Sequence, residues 1–147
     1  MELKRILCAV DFADAEHPAV EYAKMLADIS GGSILVLHVI PTRSVYEHLG
    51  LVAKEVDKHM AAHREDSRNK MEAFLREHFP GKDISSLTCE GNPAEAIVNI
   101  AKNKDMDIIV MGTHGHEGFN KLFFGSVANE VIRTADCPVL TIRPEHV

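Results

Sequence analysis

Gly112-Thr113-His114-Gly115 is followed, after nine residues, by Gly125-Ser126. These types suit phosphate chemistry: a glycine has no Cβ, so its backbone N–H can come close to a bulky anion. The Ser126 hydroxyl is placed to cap a helix expected from Val127 to about Ala135. The free N–H groups and partial positive charge of that helix would then face the same anion. The spacing is neither G-x-x-x-x-G-K-[ST] nor a G-x-G-x-x-G after the first strand, so the two commonest phosphate loops are excluded. Glycines that only make turns are the alternative. Against it stands the preceding run Asp107-Ile108-Ile109-Val110-Met111, whose apolar character marks a strand buried on both faces and running straight into the loop.

Other reactive types carry less. Cys8, Cys89 and Cys137 are odd in number and hold no C-x-x-C pair, and two fall inside expected strands. They read as small buried side chains, with no disulfide framework. Nine histidines are present, and His59 and His63 would share one helix face. They lack a third ligand at suitable spacing, and Lys58, Arg64, Glu65 and Asp66 mark a solvated face rather than a metal site.

Alternating strand and helix patterns position the loop. Lys4 to Val10 reads as a strand ending at Asp11, and Ala15 to Ser30 as a helix stopped by Gly31-Gly32. Ser33 to Ile40 is the second strand, closed by Pro41 before a loop to about Gly50. A long helix follows, with Val52, Val56, Met60, Met71, Phe74, Leu75 and Phe79 as its apolar positions; His63 and Ser67 interrupt the stripe and suggest a break. Ile84 to Cys89 alternates as a third strand near a sheet edge. Asn92-Pro93-Ala94-Glu95 opens a helix with a cap, a first-turn proline and a capping-box glutamate. Asp107 to Met111 and Pro138 to Ile142 complete five strands.

Repeated βα units imply an α/β domain over residues 1–147, an open parallel five-stranded sheet with helices on both faces, for which the order 3-2-1-4-5 is expected. In such a sheet ligands bind beyond the carboxyl ends of the strands where the order reverses. If the order is 3-2-1-4-5, the reversal falls between strands 1 and 4 and Asp11 faces the Gly112 loop. Asp11 then either accepts hydrogen bonds from ribose hydroxyls or caps the following helix, and the two roles are compatible.

Composition limits the classes of function. With 46% hydrophobic and 26% charged residues in 147, the chain is an ordinary globular domain. No apolar run reaches the roughly 20 residues that span a bilayer, and Met1-Glu2-Leu3-Lys4-Arg5 is unlike a signal peptide, so a cytoplasmic protein without membrane contact is expected. A net charge of −6 argues against a general nucleic-acid binder; attraction for a nucleotide must come from local N–H groups and Lys121.

The ordered set of segments resembles the universal stress protein family over nearly the whole length. It comprises Ile6-Leu7-Cys8-Ala9-Val10-Asp11, Leu37-His38-Val39, Gly91-Asn92-Pro93, Val110-Met111-Gly112-Thr113-His114-Gly115, Gly125-Ser126-Val127-Ala128 and Cys137-Pro138-Val139-Leu140. The G-x2-G-x9-G-[S/T] pattern is similar to that of the members that bind ATP. The resemblance implies that Gly112, Gly115, Gly125, Ser126 and Val127 hold phosphates and Asp11 the ribose, while Ala9, Val10 and Val39 line an adenine pocket; Met111 and His114 belong to the same site. The implied ligand is ATP, alone or with Mg²⁺. There are departures: Ala13 stands where the family often has Ser, His116 where a basic residue is common, and Glu117 adds a negative charge beside the proposed phosphates.

No acidic pair beyond Asp11 and Glu117 stands near the loop to support hydrolysis, so a switch is expected, in which bound nucleotide orders the 112–126 loop and alters a surface read by a partner. A slow ATP hydrolase and a nucleotide-independent scaffold are the alternatives. The last strand, 138–142, is expected at a sheet edge that pairs with its own copy across a two-fold axis, as the resemblance also implies for a homodimer; a tail, Arg143 to Val147, that blunts this edge would leave a monomer.

Overall fold

Apolar segments pair as strands in a computed structural model that describes residues 2–12, 17–81, 84–113 and 118–143, with the side chains of all of these but 62–66 and 118–124. The strands are β1 (Arg5–Ala9), β2 (Ser33–Pro41), β3 (Ser85–Gly91), β4 (Ile108–Gly112) and β5 (Val139–Ile142). All four pairings are parallel, as the alternation of strands and helices predicts, and the order is the expected β3-β2-β1-β4-β5. Parallel strands need crossovers that cover both faces, so the central strands are apolar throughout. Ile6, Leu7, Val36, Leu37, Ile109 and Val110 are all fully buried. Each contributes about 1.5–3 kcal/mol relative to exposure.

Alternate strand residues divide the core. Leu7, Ala9, Leu35, Leu37, Ile109 and Met111 face α4 (Pro93–Asn103) and α5 (Gly118–Thr134). Ile6, Cys8, Val10, Ile34, Val36 and Val110 face α1 (Pro18–Ser30) and part of α3 (Ala53–His78). Asp107 fastens the foot of the sheet, its Oδ2 accepting from the Lys4 and Arg5 amides, both at 2.9 Å.

Two segments depart from the sequence expectation. The stretch after Pro41, expected as a loop, contains α2 (Arg43–His48). Its Tyr46 packs with Val56 and Met60 of α3 in a small separate cluster, while Met71 and Phe74 of α3 join the sheet core. The interrupted stripe of α3 therefore marks a change of partner, from α2 to the sheet. The helix itself runs unbroken through 26 residues.

The second correction concerns α5, which begins at Gly118 and not at Val127. Gly125 and Ser126 lie inside the helix, so Ser126 is not its N-cap. Phe119, Leu122, Phe123 and Val127 follow helical spacing in the sequence. One interior glycine opposes that pattern by only about 1 kcal/mol.

Candidate functional site

The strand order reverses between β1 and β4, where Ala9 stands beside Met111. One residue beyond, the Val10 amide donates to the Leu37 carbonyl at 2.9 Å, which carries β1 toward β2. On the other side the Thr113 amide donates to the Ile142 carbonyl at 3.0 Å, which holds the end of β4 against β5. The β1–β4 pairing ends at Ala9 and Met111. Half-buried Asp11 leaves one lip of the opening and half-buried Gly112 and Thr113 the other.

His17 occupies the N-cap of α1, which sets aside the reading of Asp11 as that cap. The Asp11 charge is felt instead by two buried side chains. The Tyr46 hydroxyl is pushed up to about 12, first by burial and then by Asp11. His38 is held below its ordinary value by burial, a shift that its hydrogen bond to Val10 and the charge of Asp11 oppose and Lys70 reinforces.

Gly112 has a backbone open to other residues. Its φ is not in the left-handed region, and among the described residues a Cβ built there would meet only the Ile142 carbonyl oxygen, at 3.8 Å. The described residues leave room for a side chain at this position.

Of the other expected site residues, Ala9, Val10 and Met111 are buried strand residues and Val39 is half-buried. Val39, Ala9 and Met111 belong to the sheet face covered by α4 and α5. Exposed Ser126 and buried Val127 line a cleft of about 710 Å³ on that same side, between the β2–α2 corner, the first turn of α4 and α5. Its polar lining includes Thr42, Ser44, His48, Asn92 and Glu95. Asn92 Oδ1 accepts from the Glu95 amide at 3.2 Å, the cap read in the sequence. Thr42, Ser44 and His48 were not singled out because their segment reads as a loop; Val45, Tyr46 and Leu49 at helical spacing are the signal for it. His114, Gly115, Ala13, His116 and Glu117 lie outside the described residues, as does the side chain of Lys121. Among the described residues no group of three or more His, Cys, Asp or Glu could hold a metal ion.

The profile of the Universal stress protein family matches residues 2–143. This chain belongs to the universal stress protein family. It is 35% identical to a universal stress protein of Thermus aquaticus, over 95% of this chain and 98% of that one. It is 29% identical to universal stress protein MJ0577 of Methanocaldococcus jannaschii, over 97% of this chain and 96% of that one. The solved structure of MJ0577 superposes with a TM-score of 0.76 over the full length of both chains at 28% identity. Two more distant relatives share the fold: a universal stress protein in complex with cAMP (TM-score 0.61, 19% identity, 99% of this chain and 100% of that one), and that of Archaeoglobus fulgidus in complex with dAMP (TM-score 0.56, 22% identity, 97% and 99%). Among the described residues of this universal stress protein no helix is long and apolar enough to cross a membrane.

Proposed function

We propose that this universal stress protein binds an adenine nucleotide, ATP foremost, at the carboxyl ends of β1 and β4, and that loading acts as a regulatory switch. The observation that carries the reading is the reversal of strand order between β1 and β4, with Asp11 two residues past Ala9 and Gly112 one residue past its partner Met111, where sheets of this kind take their ligands. The cAMP and dAMP complexes of relatives with this fold support an adenine nucleotide as the class of ligand.

In this reading Asp11 accepts from the ribose hydroxyls and Ala9, Val10 and Val39 border the base. The glycine-rich segment from Met111 through His114 and Gly115, with Gly125, Ser126 and Val127, attends to the phosphates. The room beside Gly112 fits an approaching anion, because no described residue fills that space. ATP, with or without Mg²⁺, supplies anionic oxygens for these N–H groups. With α5 entered at Gly118, its first-turn N–H groups follow the glycine segment directly, and Ser126 contributes from inside the helix. The edge strand β5, extended over 138–142, pairs with a second copy of the chain, and nucleotide loading is reported through the surface beside the glycine segment.

Calorimetric titration of nucleotide-stripped protein with ATP and Mg²⁺ tests the reading. Saturable binding near one ATP per chain is expected; absence of heat at two temperatures overturns it in favour of a nucleotide-independent scaffold. The same preparation incubated with Mg²⁺ and ATP is expected to release phosphate no faster than the protein-free control, and turnover above that rate replaces the switch with a hydrolase.

A further inference from the structure

His38 is a buried ionisable side chain, 4% exposed, and the nucleotide reading gives it no task. It points to the α1/α3 face of the sheet, next to the end of β1. Its Nδ1 lies 3.1 Å from the Val10 carbonyl oxygen. A carbonyl only accepts, so Nδ1 carries the hydrogen, and the neutral ring is the Nδ1–H tautomer. The same ring lies against Phe12, centroids 4.2 Å apart and planes at 36°. Phe12 in turn meets Phe74 of α3 at 5.5 Å, and Phe74 packs on His17 at 4.8 Å and on His78 at 4.4 Å.

His38 therefore grips the residue before Asp11 by its carbonyl and the residue after it by its ring. Two fixed points on either side leave a carboxylate little freedom in the direction it takes from the backbone. Burial, assisted by Lys70, outweighs the pull of Asp11 and of the Val10 carbonyl and keeps the ring neutral. We propose that His38 is a positioning residue, which orients Asp11 toward the ribose by holding Val10 and Phe12. The proposal rests on the nucleotide reading above for its ligand, and on the bracketed turn for its geometry.

The test compares His38→Leu, which removes the donor and the ring, with His38→Asn, whose amide returns a donor at similar reach. ATP affinity is expected to fall about five- to tenfold in His38→Leu, the worth of one lost hydrogen bond, and to return to within about threefold in His38→Asn. The decisive ligand is 2′,3′-dideoxy-ATP, which lacks the ribose hydroxyls. If His38 acts through Asp11, its leucine variant binds this analogue as the wild type does. An equal loss with both ligands, or a loss with neither, overturns the proposal. If the wild type binds no nucleotide, the proposed function fails, and positioning is then read by hydrogen exchange at the Asp11 and Phe12 amides. Exchange is expected to be faster in His38→Leu and near wild type in His38→Asn; equal exchange in all three overturns it. Should His38→Leu fail to fold, His38→Gln, which displaces the donor by one methylene, is expected to bind ATP more weakly than His38→Asn, and equal binding overturns the proposal.

Discussion

Replacing Gly112 with alanine separates a glycine kept for the fold from one kept for a ligand, because the two readings predict different signs. The added Cβ would find the Ile142 carbonyl oxygen at 3.8 Å, an ordinary contact, and the backbone is outside the left-handed region. The folded state accepts the methyl group, while the unfolded chain loses freedom, so stability should rise by about 0.4–1 kcal/mol. For a domain of this size that is an increase in Tm of roughly 1–4 °C. Binding should move the other way. The methyl group stands where a phosphate oxygen approaches the backbone N–H, and losing one hydrogen bond to a charged oxygen costs about 1.5–3 kcal/mol, or roughly ten- to a hundredfold in affinity. Thermal denaturation without nucleotide and calorimetry with ATP read the two quantities on one preparation. A fall in Tm refutes the statement that the fold has room at Gly112. An unchanged affinity refutes the phosphate reading of the loop.

Gly32→Ala is the opposing case: its Cβ would lie 2.6 Å from the Leu3 carbonyl oxygen and 3.0 Å from that of Lys4, both backbone, so chemical denaturation should show a loss of about 1–3 kcal/mol. Asn92→Ala removes the acceptor of the Glu95 amide and should cost about 1 kcal/mol, seen as a lower urea midpoint. Stability should decline on both sides of neutrality. Below pH 6.5 the unfolded chain takes a proton that folded His38 declines, and above 9.0 and then 10.0 it releases protons that folded Cys8 and Tyr46 retain; urea midpoints across that range check both signs. At the β5 edge, Pro138 and Ile142 turn their carbonyls to β4, so Thr141 presents its backbone groups outward. Thr141→Pro removes an outward donor and should convert the proposed dimer to a monomer in light scattering, without loss of the β4 ladder.

The parallel sheet was legible because central strands buried on both faces must be apolar along their length, and Ile6 to Val10, Ile34 to Ile40 and Ile108 to Met111 have that character. The α4 cap was legible for a similarly local reason: Asn92 and Pro93 satisfy and tolerate the unpaired N–H groups of a first helical turn. Legibility failed where two local signals competed. Gly125-Ser126 reads as a helix start, but the apolar spacing from Phe119 to Val127 outlasts one glycine and carries α5 back to Gly118.

What the sequence by itself determined was the set of elements that alternate apolar runs and turn residues can specify, and with it the family. Only the tertiary structure decided which surfaces those elements share. The gap in the α3 stripe has meaning once α2 is seen to cover Val56 and Met60, and the task of His38 once its ring is seen between Val10 and Phe12. The physical reason is range. Periodicity and capping are set by neighbours a few residues away, whereas a buried imidazole takes its tautomer and its role from the groups that packing brings to it from distant parts of the chain.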